Sequence, residues 1–183
     1  MYLENIFSAP DIKTQMPLES KDFEGCDKFI RNHVAKLLAS PKIVRLAKIT
    51  NLLEKFNEIT ETLEKIEKKL EQYLEGKRKI FPRFYFLSND ELLEILSKAG
   101  NIEMVEQYLG KCFEALVKLY MMDGKSTSET NLICGMLSPE KERVIFKSTV
   151  TAKNAVEQWL GLLQKEMEIA VKRIIFNGYT EWM

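Results

Sequence analysis

Apolar and polar residues alternate along the chain with a period that predicts several amphipathic helices. The clearest pattern repeats at spacings of four and three residues, with Glu and Lys between the apolar positions. We predict one long helix from Asn51 to Ile80, which Pro82 ends because proline has no N–H to continue it. The apolar seam of this helix consists of Leu52, Phe56, Ile59, Leu63, Ile66, Leu70 and Tyr73.

The seam at 52–73 has two interpretations. It could pair with another chain as a coiled coil, or it could be the core face of a bundle formed within this chain. The seam covers only about three heptads, and other amphipathic helices that need partners flank it. The bundle is therefore favoured, and the isolated chain is expected to be a monomer.

Helices are also predicted on both sides of the seam. Pro10 and Pro17 predict an irregular start, followed by a helix from Leu18 to Ser40 that ends before a proline. After the seam, the residues from Phe81 to Leu87 form a dense aromatic connector. Ser88 and Glu91 then have the spacing of a capping box, which opens a helix that reaches Gly100. A further helix is predicted from Ile102 to Tyr120.

The last third of the chain predicts the only β-structure. Residues 123–128 predict a loop, and the strand-like runs Leu132–Leu137 and 143–150 predict a small hairpin. A final helix begins near Asn154, which is a good N-cap residue. Its apolar face consists of Val156, Trp159, Leu160, Leu163, Met167, Ala170, Val171, Ile174 and Ile175. The predicted fold class is mostly α, an elongated helical bundle or array with one small β-hairpin.

Composition narrows the classes of protein without identifying one. Apolar residues make up 45% of the 183 residues and charged residues 30%, which is typical of a globular protein. Lys and Arg together number 27, as do Asp and Glu, so no overall charge attracts the chain to nucleic acid or to an anionic membrane. No apolar run approaches the ~20 residues of a membrane span, and neither a signal peptide nor a polar tail is evident. We expect a segment of a larger cytosolic protein.

Few residues suggest chemistry. Cys26, Cys112 and Cys134 lie far apart, which is typical of reduced core thiols rather than of disulfides or a zinc site. His33 is the only histidine and lies on an apolar stripe, so a packed side chain is favoured over a metal ligand. Carboxylates lie on polar helix faces. We therefore predict no catalytic residues, no metal site and no bound cofactor in this chain.

Two short motifs that could suggest ligand binding are explained more simply by structural roles. The run Gly124-Lys125-Ser126 is similar to the end of a phosphate-binding loop, but Leu119 stands where that motif needs its first glycine. A helix is predicted before this run and a hairpin after it, which is the wrong context. The cations at 77–79 beside the aromatic connector could bind nucleic acid, but cations in a last turn also complement the helix dipole. The aromatic rings are then predicted to be core anchors where two helices meet.

The run from Leu70 to Ser97, which contains Phe81-Pro82-Arg83-Phe84-Tyr85-Phe86, closely resembles the linker segment of dynein heavy chains. The resemblance covers essentially the whole chain, and the aromatic block is long and specific. Shorter matches occur in family order at 1–8, 111–114, 136–140, 154–160 and 180–182.

The resemblance implies a function and a division of the chain. In the family, the linker is a helical arm before a ring of AAA+ modules, and its swing is the power stroke. ATP and Mg belong to that ring, microtubules and other dynein chains are partners of the whole motor, and the details are more typical of axonemal than of cytoplasmic chains. The implied regions are helices at 1–80, the connector and helices at 81–122, a loop and hairpin at 123–153, and a helix at 154–183 that leads toward the ring.

A lever needs stiffness and no chemistry of its own, so the candidate residues are structural or interdomain ones. They are Arg78, Phe81, Pro82, Arg83, Phe84, Tyr85, Phe86 and Trp159. An alternative function is an independent helical scaffold or coiled-coil adaptor that binds a partner through the seam at 52–73.

Two departures from the family pattern bear on the fold. Glu106-Gln107-Tyr108 stands where the family often has Gln-Pro-His, so the helix around Leu109 is predicted to run without a break. Lys141 stands where the family often has glycine, which leaves the hairpin turn open.

Overall fold

A computed structural model describes residues 2–8, 10–39, 51–98, 101–121, 131–153 and 155–183. These residues form helices and one small three-stranded sheet, so the predicted mostly α fold class is confirmed. The chain divides into two compact units, Met1–Tyr73 and Leu74–Met183.

Three helices open the first unit: α1 (Tyr2–Ser8), α2 (Pro10–Gln15) and α3 (Pro17–Ala39). The predicted irregular start is therefore wrong. Pro10 and Pro17 are each the first residue of a helix, where the missing N–H would have no intrahelical partner and proline's fixed φ favours the helix. The predicted helix from Leu18 is confirmed as α3.

The single histidine packs among aromatic rings of the first unit. The His33 ring stacks on Phe29 with centroids 4.0 Å apart, and its Nδ1 lies 2.8 Å from the Phe29 carbonyl oxygen. Phe56 meets Phe29 edge to face at 5.8 Å. His33 is thus a packing residue, as predicted.

The long seam helix is confirmed as α4 (Leu52–Ile80), which contributes residues to both units. Burial of its seam increases along the helix. Phe56 is exposed, whereas Ile66 and Leu70 are buried. The C-terminal half of the seam is therefore a core face within this chain.

In the second unit, a 3-10 turn (Pro82–Phe86) follows α4 and leads to α5 (Asn89–Ser97). The predicted capping box is present, because Ser88 accepts from the Glu91 amide and the Glu91 carboxylate accepts from the Ser88 amide. Gly100, where this helix was predicted to end, lies outside the described residues.

The predicted helix from Ile102 to Tyr120 is wrong in its second half. Helix α6 (Ile102–Cys112) ends where Phe113 becomes extended, and Ala115 has φ 58°. The following residues form strand β1 (Lys118–Met121). Apolar residues at 116, 117, 119 and 120 fit either period, and the pairing available from the next strand decides in favour of β-structure.

Strand β1 completes an antiparallel sheet of order β1-β2-β3, with β2 (Leu132–Leu137) and β3 (Arg143–Thr151). The predicted hairpin of β2 and β3 is confirmed, and β1 was missed as a strand. Val144 pairs with Met136, and Met136 with Leu119. Gly135 is required here, because an added Cβ would lie 2.6 Å from the Val144 carbonyl oxygen.

The turn between β2 and β3 contains an unfavourable backbone conformation. Lys141 has φ 67°, in the left-handed region that favours glycine. Its amide donates to the Ser138 carbonyl at 3.0 Å. The position where the family often has glycine therefore keeps a glycine-like conformation with a lysine in place.

Glutamates from neighbouring helices cover backbone amides on both outer strands. The Leu119 amide on β1 donates to Glu106 Oε1 of α6 at 2.8 Å, and the Ser148 amide on β3 donates to Glu166 Oε2 at 3.3 Å. Arg173 also donates to the Ile145 carbonyl on β3. These amides are satisfied by side chains rather than by another strand.

Helix α7 (Val156–Trp182) closes the unit, and Ala155 is its N-cap without a side-chain hydrogen bond. Asn154, the predicted cap, lies outside the described residues. Within the predicted apolar face, Val156, Trp159, Leu160, Leu163 and Ala170 are buried and Met167 is half-buried. Beyond that point Val171, Ile174 and Ile175 are exposed, so the face was predicted too long for the part of the chain that the structure describes.

Candidate functional site: the aromatic corner

The corner between α4 and α5 is built on the three-residue period of the 3-10 turn. Residues three apart share a face in such a turn, so Phe81, Phe84 and Leu87 all point into the core. The Phe81 and Phe84 rings meet edge to face at 5.0 Å, and Phe81 also lies 6.1 Å from the Phe113 ring. Phe81 and Phe84 are buried, as predicted, and their role in anchoring the two helices stays a prediction.

The same period places Tyr85 and Phe86 outside, where they are 56% and 68% exposed. The prediction that all rings of the connector are core anchors is therefore wrong for these two. The Tyr85 hydroxyl donates to Glu75 Oε1 at 2.6 Å, and this bond to a carboxylate raises the pKa of Tyr85. Pro82 is also exposed and begins the turn, where it stops α4 as predicted.

Arg78 holds the backbone of the turn against the end of α4. Its guanidinium donates to the Leu87 carbonyl at 3.1 Å and to the Phe84 carbonyl at 3.4 Å. Its Cζ also lies 5.9 Å from the Tyr85 ring centroid. A guanidinium suits this position because its several donors can reach two carbonyls from one side chain.

Arg83 joins the turn to two other helices. It donates to the Cys112 carbonyl at the end of α6 at 2.8 Å and to Gln164 Oε1 of α7 at 3.2 Å. The guanidinium also packs over the Phe113 ring, 4.8 Å from its centroid. One side chain thus fixes the turn relative to both helices.

A buried ion pair joins the last turn of α4 to the first turn of α7. Lys77 Nζ lies 2.5 Å from Glu157 Oε1, and the two side chains are 13% and 4% exposed. This pair was not predicted, and Lys77 was expected only among the cations that complement the helix dipole. No sequence signal connects residues 80 positions apart, so only the fold could reveal it.

Trp159, the remaining candidate, lies fully buried on α7, which confirms its predicted burial. Its Nε1 has no hydrogen-bond partner among the described residues. All eight candidates lie in the second unit. The corner brings together Arg78 and the residues from Phe81 to Phe86, and Arg83 connects it to the helix that carries Trp159.

Among the described residues, no cluster of three or more His, Cys, Asp or Glu residues could hold a metal ion. Burial raises the pKa of the Cys112 thiol to about 11 and also raises the pKa values of Cys26 and Cys134. None of the helices in the described ranges is long and apolar enough to cross a membrane.

The loop-like run at 124–126 lies outside the described residues. A strand, β1, precedes it rather than the predicted helix, and Leu119 is part of that strand. Strand β2 follows, whereas a phosphate-binding loop would lead into a helix.

A site made of buried rings, guanidinium bonds and a dry ion pair is suited to holding helices rigidly. The chain belongs to the family Dynein heavy chain, N-terminal region 2, whose sequence profile matches residues 1–178.

The relatives include axonemal and flagellar dynein heavy chains. The chain is 43% identical to Dynein axonemal heavy chain 6 of Homo sapiens over 95% of its length. It is 41% identical to Dynein axonemal heavy chain 3 of Mus musculus over its whole length. It is also 37% identical to Dynein-1-beta heavy chain, flagellar inner arm I1 complex, of Chlamydomonas reinhardtii over 99% of its length.

The chain spans only 4% of the length of each of these three relatives. Their axonemal and flagellar names indicate a cytoskeletal, axonemal location for this chain.

Proposed function

We propose that this chain is part of the linker of an axonemal dynein heavy chain and acts as a lever arm. In this role it transmits changes of the AAA+ ring into movement along microtubules and supplies no catalytic group of its own. ATP and Mg would bind the ring of the parent chain. The partners of the segment would be that ring and, through the whole motor, other dynein chains and microtubules.

The observation that carries this proposal is the set of contacts at the corner after α4. Four independent restraints meet there: the buried Phe81–Phe84 pair, the Arg78 bonds, the Arg83 bonds and the Lys77–Glu157 ion pair. Each resists rotation of one helix against another, because packed rings and directional hydrogen bonds are lost together when a helix turns. A lever requires this stiffness, whereas a binding module does not.

The exposed end of α7 fits the same proposal. Large apolar side chains are uncovered on several sides of its last turns, where a helix of this composition is usually buried. The rest of a heavy chain would cover them. The exposed side chains are Ile174, Ile175, Phe176, Tyr179, Trp182 and Met183.

The scaffold or adaptor alternative has less support. A partner would need the whole seam, but Ile66 and Leu70 are already buried within the chain. Sedimentation separates the two functions. A tight dimer that depends on Phe56 would support the adaptor, whereas a monomer at micromolar concentration supports the linker.

The decisive experiment compares two matched variants in a complete heavy chain that carries this segment. Phe84→Leu loosens the buried side of the turn, and Phe86→Leu changes its exposed side by the same chemistry. We expect Phe84→Leu to slow microtubule gliding more than it slows ATP turnover, with little effect from Phe86→Leu. Equal gliding by both variants would contradict a lever-arm role.

A further inference from the structure

The Lys77–Glu157 pair is the most deeply buried ion pair in the part of the chain that the structure describes. Each of the other ion pairs there has an exposed cation, whereas both members of this pair are shielded from water. Only one oxygen of the Glu157 carboxylate is bonded: Oε1 binds Lys77, whereas Oε2 has no hydrogen-bond partner among the described residues.

Stability alone does not account for such a pair. Removing two charges from water costs about as much free energy as their attraction returns, and apolar replacements of buried pairs are often neutral or stabilising. What an ion pair adds is a preference for one position of a helix along its neighbour. Apolar contacts tolerate a shift of one helix along another, but a shift of one turn, roughly 5.4 Å, would strand both charges in a dry environment.

A second polar contact lies along the same stripe of α7. Gln164 is seven residues, or about two turns, after Glu157, so both side chains lie on one face of the helix. Gln164 accepts from Arg83 of the 3-10 turn, while Glu157 binds Lys77 of α4. Lys77 comes before Arg83 along the corner, and their partners Glu157 and Gln164 follow in the same order along α7.

We propose that Lys77 and Glu157, with Arg83 and Gln164, set the register of α7 on the corner, so that α7 cannot slide when it is pulled. This inference rests on the proposed lever-arm function for its consequence in a motor, but not for the register itself. The four are positioning residues, since they act through the placement of a helix.

The test uses the double variant Lys77→Met with Glu157→Met, which removes both charges and keeps side-chain length. We expect it to keep or raise the Tm of the 183-residue chain. The single variant Lys77→Met leaves Glu157 buried and unpaired, so it should lower the Tm by roughly 10 °C. The charge reversal Lys77→Glu with Glu157→Lys should recover part of that loss.

The register is measured directly by electron paramagnetic resonance. Spin labels are introduced as non-canonical amino acids at the exposed positions Lys79 on α4 and Lys172 on α7. We expect one narrow distance distribution in the parent chain. The double methionine variant should broaden it or shift it by roughly one helical turn, about 5.4 Å.

The same double variant in a complete heavy chain tests the consequence. A broadened distribution with a lower ratio of gliding velocity to ATP turnover supports both the register and the lever arm. A broadened distribution with an unchanged ratio supports the register and contradicts the lever arm. An unchanged distribution overturns the register inference, whatever the motor does.

Discussion

Arg83 lies with its guanidinium carbon 4.8 Å from the ring centroid of Phe113 while it donates to the carbonyl of the residue before that ring, Cys112. Lysine cannot reproduce this combination, because an ammonium group has no planar face to lie on the ring and no fork to reach Gln164 as well. We expect Arg83→Lys to lower the free energy of unfolding by about 1–2 kcal/mol.

Urea denaturation measures this loss. Lys79→Ala provides the control, since Lys79 is exposed in the last turn of α4 and its change should stay within ~0.5 kcal/mol. If the two variants are equally stable, Arg83 does not hold the corner.

The two faces of the 3-10 turn predict opposite outcomes for the same substitution. Phe84→Ala removes a fully buried ring and should cost about 3–5 kcal/mol. Phe86→Ala removes an exposed ring and should cost less than ~1 kcal/mol. Thermal or urea unfolding of both variants checks the difference, and comparable losses would mean that the inward face of the turn has been assigned wrongly.

The two tryptophans report on the two ends of α7. Trp159 is buried, whereas Trp182 is 83% exposed. We expect acrylamide to quench Trp182 in the Trp159→Phe variant much more strongly than it quenches Trp159 in the Trp182→Phe variant. Equal quenching would show that the apolar face around Trp159 is open.

Stability provides a second measurement at Trp159. Trp159→Ala should cost about 3–5 kcal/mol because it leaves a large cavity. Trp159→Phe should cost clearly less, since the indole Nε1 that it removes has no partner among the described residues. A Phe variant as unstable as the Ala variant would reveal a hydrogen bond made by that nitrogen.

Lys141 predicts a stabilising substitution. Its φ of 67° is unfavourable for any side chain with a Cβ, so Lys141→Gly should raise the free energy of unfolding by about 0.5–1 kcal/mol. The neighbouring Glu140 is not among the residues with positive φ, so Glu140→Gly should instead lower it slightly. If both variants lose stability, the left-handed conformation at Lys141 is not present in solution.

Two glutamates predict opposite responses to pH. Burial raises the pKa of Glu106 above its ordinary value, so its ionised form weakens the folded state and this cost disappears as the pH falls through that pKa. Hydrogen bonds from Lys98 and Tyr108 lower the pKa of Glu94, so its contribution is present at neutral pH and is lost as the pH falls through its lowered value.

We therefore expect Glu106→Gln to be more stable than the parent chain at pH 7 and Glu94→Gln to be less stable. Both differences should shrink as the pH falls, that of Glu106 as the pH passes through its raised pKa and that of Glu94 only as the pH passes through its lowered pKa. Urea unfolding at several pH values measures them. A Glu106 variant that loses stability at pH 7 would mean that the bond to the Leu119 amide outweighs the cost of burial.

The sequence predicted those elements whose pattern is local and long. The heptad spacing of Leu52 to Tyr73, the stop at Pro82 and the capping box of Ser88 were all confirmed because each depends on neighbours within one or two turns. The boundary of α6 failed, since strand β1 forms only when β2 is available to pair with it. Its residues alone fit a helix equally well.

The corner was predicted in position but not in detail. The spacing of Phe81, Phe84 and Leu87 by three residues was readable and would have indicated a 3-10 face, with Tyr85 and Phe86 outside. The Lys77–Glu157 pair could not be predicted from the sequence. A lysine in a last turn and a glutamate in a first turn are ordinary surface residues until the fold brings them 2.5 Å apart.

Two helix glutamates that bind amides of the outer strands limit how far the sheet can grow. A strand from a second copy would first have to displace Glu106 from the Leu119 amide or Glu166 from the Ser148 amide. Both carboxylates come from helices, so this protection against cross-β aggregation exists only after α6 and α7 have docked. During synthesis, β3 is complete before α7 has been made. The sheet is therefore most prone to misassembly in that interval, and early docking of α7 would protect its outer strand from pairing with another chain.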